Sequence, residues 1–176
     1  MSVTIYKNIV LVGFMGTGKT TVGRLLAARM GRRFIDTDCE LEEELRMTIT
    51  ELFTRYGEDE FREREAATLA RVAAIEGAAI IATGGGTVLR DGNRRLLREC
   101  GVSVCLTATA QTIIERLAAD GMTRPLLAGE DSLGVVEELL EKRKKIYDEA
   151  DFCIATDLLT PSEVAEKILY ILHKNR

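Results

Sequence analysis

Close to its start the chain passes from a short apolar run, Asn8 to Val12, into GFMGTGKTT, Gly13 to Thr21. Gly13 to Thr20 fit the pattern G-x-x-x-x-G-K-[ST], set between a β-rich run and a helix-forming one, and that setting turns a pattern match into a phosphate site. Glycines let successive backbone N–H groups approach an anion, and the positive end of the following helix dipole favours negative charge there. Gly16, Thr17, Gly18 and Thr21 complete the cradle, Lys19 supplies a point charge to the β- and γ-phosphates, and Thr20 offers its hydroxyl to Mg2+. The expected ligand is a nucleoside triphosphate, and the expected frame is a parallel sheet.

The rest of the chain has the matching rhythm. Short β-rich runs, Ile9 to Val12, Arg33 to Asp36, Ala79 to Ala82, Val102 to Thr107 and Phe152 to Thr156, alternate with amphipathic segments. Helices are expected at Lys19 to Met30, stopped by Gly31, then at Gly92 to Cys100, Ala110 to Asp120, Ser132 to Ala150 and Ser162 to His173. Such alternation predicts an α/β fold with helices on both faces of the sheet, and 176 residues make one domain, 1–176. One interval is too long for a single crossover: Asp38 to Gly77 reads as two or three helices, an insertion beside the phosphate loop of the kind that holds a substrate.

Composition narrows the function classes. A net charge of -4 argues against a general nucleic-acid binder, yet leaves room for small anions recognised by local arginines. The four cysteines lack a C-x-x-C spacing and the single histidine, His173, lies near the C-terminus, so a structural zinc site is not expected; the thiols read as reduced and mostly buried. Neither a basic leader with an apolar core nor a run of membrane-spanning length is present, which places the protein in the cytoplasm without a membrane partner.

Three fates are open to a bound triphosphate: a GTPase switch, a mechanical or regulatory ATPase, or a kinase for a small molecule. No NKxD-type guanine signature occurs, and Asp131-Ser-Leu-Gly134, which matches D-x-x-G, follows no strand and opens a helix. A motor or regulatory ATPase usually needs more chain. A kinase requires charged residues on inward faces around an acceptor pocket, and three segments supply them.

In FIDTD, period-two alternation sends Asp36 and Asp38 to one side at the carboxyl end of the second strand, where ligands bind in such sheets. Asp36 is assigned to the metal's water shell and Asp38 to the acceptor hydroxyl as orienter or general base, with helix capping by Asp38 a compatible alternative. In the helix beginning near Glu58, the stripe Leu69, Val72, Ala73 continues backwards to Glu65 and Arg62. Arg62 is suited to a substrate carboxylate and Glu65 to fixing its rotamer, whereas a surface pair at this spacing contributes only ~0.2–0.5 kcal/mol. Glu63, Arg64 and Arg71 fit that plainer surface role. In the helix ending EELLEKRKKIYDEA, Arg143 falls in the stripe formed by Val136, Leu139, Leu140, Ile146, Tyr147 and Ala150, while Lys142, Lys144 and Lys145 fall mostly outside it. A buried-side arginine needs an anion. Gly84, Gly85 and Gly86 permit close backbone approach to a ligand, and DGMTRPLLAGED, with Gly121 and Gly129 at its ends and Arg124 before Pro125, reads as a lid over about 121–131.

Taken in order, GFMGTGKTT, FIDTD, FREREA, TGGGTV, TRPLLAG and RKKIYDEAD resemble the bacterial shikimate kinases from the phosphate loop to the last helix. The resemblance implies a nucleoside-monophosphate-kinase-like three-layer α/β/α fold, with five parallel strands in the order 2-3-1-4-5 and a substrate-binding subdomain over about 37–65. It implies ATP and Mg2+, a monomer, and transfer of the γ-phosphate to the 3-hydroxyl of shikimate on the way to chorismate and the aromatic amino acids. By the same resemblance Asp38 meets the shikimate hydroxyls, Asp36 lies near Mg2+, Arg62 and Arg143 bind the carboxylate, Gly85 lines the acceptor site and Arg124 is the lid arginine. Arg116 and Pro161 flank the adenine in this comparison, although the spacing of Arg116 to the lid differs by one residue from the family's form. A gluconate-type sugar-acid kinase and a nucleotide-binding regulator without turnover are the competing readings; the regulator is opposed by the presence of Asp38, Arg62 and Arg124.

Overall fold

The computed structural model describes residues 8–119 and 132–174. Its strands are β1 (Asn8–Val12), β2 (Arg33–Asp36), β3 (Ala79–Ala82), β4 (Val102–Thr107) and β5 (Phe152–Ala155). All pair in parallel, in the order β2-β3-β1-β4-β5. β1 and β3 are buried along their whole length, which is why they read as continuous apolar runs rather than alternating ones.

Strand alternation divides the core into two layers. Val10, Val12, Ile35 and Ile81 pack with Leu69 and Val72 of α3 (Ile49–Ala73), Leu97 of α4 (Asp91–Cys100), Ile113 of α5 (Ala110–Ala119) and Val136 of α6 (Ser132–Tyr147). Ile9, Leu11, Ile80, Val104 and Leu106 pack on the other face against Val22 and Leu26 of α1 (Lys19–Met30) and Val164, Ile168 and Leu172 of α7 (Pro161–Lys174). The architecture is therefore the three-layer α/β/α sandwich with the expected strand order.

The long insertion is built from α2 (Thr37–Leu45) and α3. Thr48 and Glu51 form a reciprocal capping box at the start of α3, the Glu51 carboxylate accepting from the Thr48 backbone N–H while the Thr48 hydroxyl accepts from the Glu51 N–H. Gly57, at φ 80 and ψ 179, breaks α3 inside its length, which is why the charged helix reads in sequence as beginning at Glu58. Leu41, Leu52 and Phe61 form a small apolar cluster of their own under this break.

Boundaries shift slightly from the sequence expectation. α6 ends at Tyr147 rather than Ala150, because Glu149 and Ala150 donate to the carbonyls of Ile146 and Tyr147 and tighten the chain into a turn. α7 starts at Pro161, where the missing N–H costs nothing, and Thr160 and Glu163 cap it. Only two of the four thiols are buried: Cys100 and Cys105 lie in the core, whereas Cys39 sits exposed on α2 and Cys153 on the edge strand β5. No described helix is long and apolar enough to cross a membrane.

Burial pushes the Cys105 thiol up to about 12, and burial raises Cys39 and Cys153 less strongly, with Asp36 adding to the effect at Cys39. Titration of the native protein with a thiol-reactive aromatic disulfide at pH 8 is expected to modify Cys39 and Cys153 alone, with Cys100 and Cys105 reacting after denaturation. Rapid modification of Cys105 in the native protein, located by peptide mass, would contradict the packing of β4.

Candidate active site

The turn from β1 to α1 is shaped by steric exclusion. Gly13 has φ 133, and a Cβ there would stand 2.2 Å from the Leu106 carbonyl oxygen of the neighbouring strand. The loop can therefore lie this close to the sheet only with glycine at that position. Gly16 and Gly18 also hold positive φ, 74 and 93. Thr17 turns its hydroxyl inward to the Phe14 carbonyl at 2.8 Å, a structural bond within the loop. Lys19, 9% exposed, donates from Nζ to the carbonyls of Gly13 and Phe14 at 2.9 and 2.8 Å, so its ammonium is held over the cradle.

The loop lines a cavity of about 770 Å³ that also takes in Asp36, Asp38, Arg62, Glu65, the three glycines and Arg143. Every predicted residue of the acceptor pocket thus lines the same space as Gly16, Gly18, Lys19, Thr20 and Thr21. The two aspartates arrive there differently from the sequence expectation. β2 ends at Asp36, which caps α2: its Oδ1 accepts from the Asp38 backbone N–H at 3.1 Å. Asp38 is therefore in the first helical turn, not one strand step further on, and the capping carboxylate is Asp36, not Asp38. The other oxygen of Asp36, Oδ2, accepts from the Thr20 hydroxyl at 2.7 Å.

Arg62 and Glu65 meet as the helical stripe requires, Nη1 to Oε2 at 2.9 Å, with Arg62 17% exposed and Glu65 3%. A carboxylate buried this far needs more than one partner, and Glu65 accepts a second bond at Oε1 from the Thr87 hydroxyl at 2.8 Å. Arg62 reaches Glu58 with Nε and Nη2, at 3.4 and 3.3 Å, and lies 4.9 Å from the centre of the Phe61 ring. Glu63, Arg64 and Arg71 pair outside the cavity with Arg90, Glu60 and the Glu40–Glu44 pair. The glycine triplet makes room for these side chains: a Cβ on Gly84 would stand 2.6 Å from Asp38 Oδ1 and 2.9 Å from Glu65 Oε1, and one on Gly86 2.5 Å from Arg62 Nη1. Arg143 reaches the cavity from α6, its guanidinium 5.4 Å from the centre of the Phe14 ring, while Lys142, Lys144 and Lys145 are exposed.

Arg116 and Pro161 do not line the cavity. Arg116 donates to the Gly16 carbonyl at 3.3 Å and to the hydroxyl and carbonyl of Thr156 at 2.9 and 2.8 Å, tying the phosphate loop to the turn after β5; Pro161 is exposed in the first turn of α7. Arg124 and the segment 121–131 lie outside the described residues.

Several lining or supporting residues went unrecognised in the sequence. Phe53 and Phe61, whose ring centres are 4.5 Å apart, wall the cavity with Ile49 and Thr50. The run Ile49, Leu52, Phe53 has helical spacing and was the available signal. Thr87, directly after the glycines, and Tyr147, one turn beyond Arg143, act through their hydroxyls on partners far away in sequence. Arg24, on the face of α1 that continues from Thr20, also borders the space.

Comparison with known proteins agrees with this geometry. Residues 15–173 match the family model described as shikimate kinase. The shikimate kinase of Thermodesulfovibrio yellowstonii is 48% identical over 163 residues, covering 93% of both chains, and that of Caldicellulosiruptor bescii is 48% identical over 165 residues, covering 94% of this chain and 95% of the relative. Among solved structures, the shikimate kinase from Acinetobacter baumannii in complex with shikimate superposes with a TM-score of 0.92 at 37% identity, covering 99% of this chain and 96% of that one. A phosphate loop sharing one cavity with inward arginines and carboxylates, on this strand order and with these relatives, places the chain in the shikimate kinase family.

Proposed function

We propose that this chain transfers the γ-phosphate of ATP to the 3-hydroxyl of shikimate, giving shikimate 3-phosphate and ADP on the route through chorismate to the aromatic amino acids. The observation that carries the proposal is a single cavity lined both by the triphosphate cradle and by Asp38, Arg62 and Arg143. Shikimate matches these three side chains chemically, having hydroxyls for the carboxylate and a carboxylate for the arginines. α2 and the first part of α3, about 37–65, serve as the acceptor-binding subdomain of a single domain, and about 121–131 serves as its lid. Size and family support a cytoplasmic monomer.

The division of labour follows from the side chains. The α1 N-terminus and the backbone of Gly16 to Lys19 hold the triphosphate, and the Lys19 ammonium offsets charge on its terminal oxygens. Asp36 and Thr20, already in contact at 2.7 Å, offer oxygen donors of the kind Mg2+ prefers. An ion held by these two side chains would supply charge neutralisation to the triphosphate. Asp38 orients the acceptor hydroxyl and accepts its proton, and Arg62, held by Glu65, clamps the acceptor carboxylate together with Arg143. Arg124 belongs to the lid and meets the transferring phosphate when water is excluded.

The direct test is ADP release with MgATP and shikimate, with gluconate, and without an acceptor. Release that depends on shikimate is expected; equal release without acceptor would make the protein an ATPase and dissolve the acceptor pocket. Lys19→Ala should lower kcat by at least about a hundredfold with an unchanged circular dichroism spectrum, by the magnitude typical of a removed transition-state donor. Arg62→Ala should raise the KM for shikimate on the order of a hundredfold while the KM for ATP stays close to the parent's, since truncating one side of a charge clamp leaves the nucleotide end alone. Asp38→Asn should depress kcat by about 10² to 10⁴ with nucleotide binding preserved, measured by calorimetry with ADP; full turnover in this variant would refute the proton-accepting and orienting role.

A further inference from the structure

We infer that Tyr147 is a positioning residue for acceptor recognition, which fixes the helix carrying Arg143 to the glycine loop that seats Arg62. This rests on the shikimate-phosphorylating reading of the cavity and adds a residue to it. The two arginines come from different parts of the fold, Arg62 from α3 and Arg143 from α6. Two-point recognition of a planar carboxylate depends on the relative placement of its guanidinium donors, so something must hold α3 and α6 in register.

Tyr147 is placed to do so. It is 5% exposed in the last turn of α6, and its hydroxyl donates to the Gly85 carbonyl at 2.8 Å. This hydrogen bond joins α6 to the glycine loop. Arg143 precedes Tyr147 by one helical turn and so lies beside it on the same face. On the far side of the bond, Gly86 directly follows Gly85, and the Arg62 guanidinium occupies the space a Gly86 Cβ would need. A continuous path therefore runs from Arg143 through Tyr147, Gly85 and Gly86 to Arg62. The peptide between Gly85 and Gly86 is planar and trans, so anchoring the carbonyl also fixes the direction of the Gly86 N–H. Gly85 backs onto the phosphate loop as well: a Cβ there would lie 3.2 Å from the Met15 nitrogen, leaving the glycine loop little freedom to move on that side. Burial raises the Tyr147 phenol above its usual range, with Arg143 acting in the opposite direction, so the hydroxyl keeps its proton at neutral pH and remains a donor.

The test is Tyr147→Phe in the full chain, which keeps the ring in the core and removes only the donor. With the ADP-release assay at saturating MgATP, and calorimetric titration of shikimate as a second readout, the KM and Kd for shikimate are expected to rise about two- to tenfold, the scale of one lost hydrogen bond. The KM for ATP should be unchanged and the melting temperature close to the parent's. In an Arg143→Ala background the same change should weaken shikimate binding less than it does in the parent, because the register it maintains no longer serves a second arginine. Unchanged shikimate affinity in Tyr147→Phe, parallel losses for shikimate and ATP, or full additivity with Arg143→Ala would each overturn the inference. Absence of shikimate-dependent turnover in the unaltered chain would instead remove the reading beneath it, so the two failures are distinguishable.

Discussion

The carboxylate of Asp36 is the contact on which the two ends of the cavity depend. It stands where β2 runs out, accepts from the Thr20 hydroxyl of the phosphate loop with one oxygen and caps α2 with the other. One side chain thereby aligns the start of α1 with the start of α2, and Asp38, within that first turn, is carried to the acceptor end. Both helices begin at the carboxyl edge of the sheet, so their N-termini and the charges gathered around them face a common space.

The acceptor end handles buried charge by enclosure. Arg62 and Glu65 are largely withdrawn from water, a position that is stabilising only when each remaining donor and acceptor has a partner. Thr87 supplies a second partner for Glu65 and Glu58 a further one for Arg62, and Gly84 and Gly86 remove the side-chain volume that would otherwise push the charged groups apart. The glycines therefore serve packing of the protein against itself as much as approach of a ligand.

Much of this was legible before any coordinates. The phosphate loop, the five strands and the inward stripe carrying Arg62 and Glu65 are encoded locally, by spacings of two and of three to four residues, and local spacing survives folding. Asp38 lines the cavity from the first turn of α2 and not from an extended strand, because carrying the strand alternation on by two residues ignores the turn that Asp36 imposes. Tyr147 and Thr87 were missed for a different reason: a neutral hydroxyl has no charge or periodicity to mark it, and the partner of Tyr147 is 62 residues away. The exposure of Cys153 is likewise a property of strand order, which makes β5 an edge, and not of the residues around it.

The break at Gly57 and the separate cluster of Leu41, Leu52 and Phe61 have an evolutionary consequence. The apolar support beneath the aromatic wall of the acceptor end belongs to neither layer that covers the sheet. Substitutions there can reshape the wall while the nucleotide half keeps its packing, so acceptor preference can drift among descendants of such a chain without each step having to refound the core.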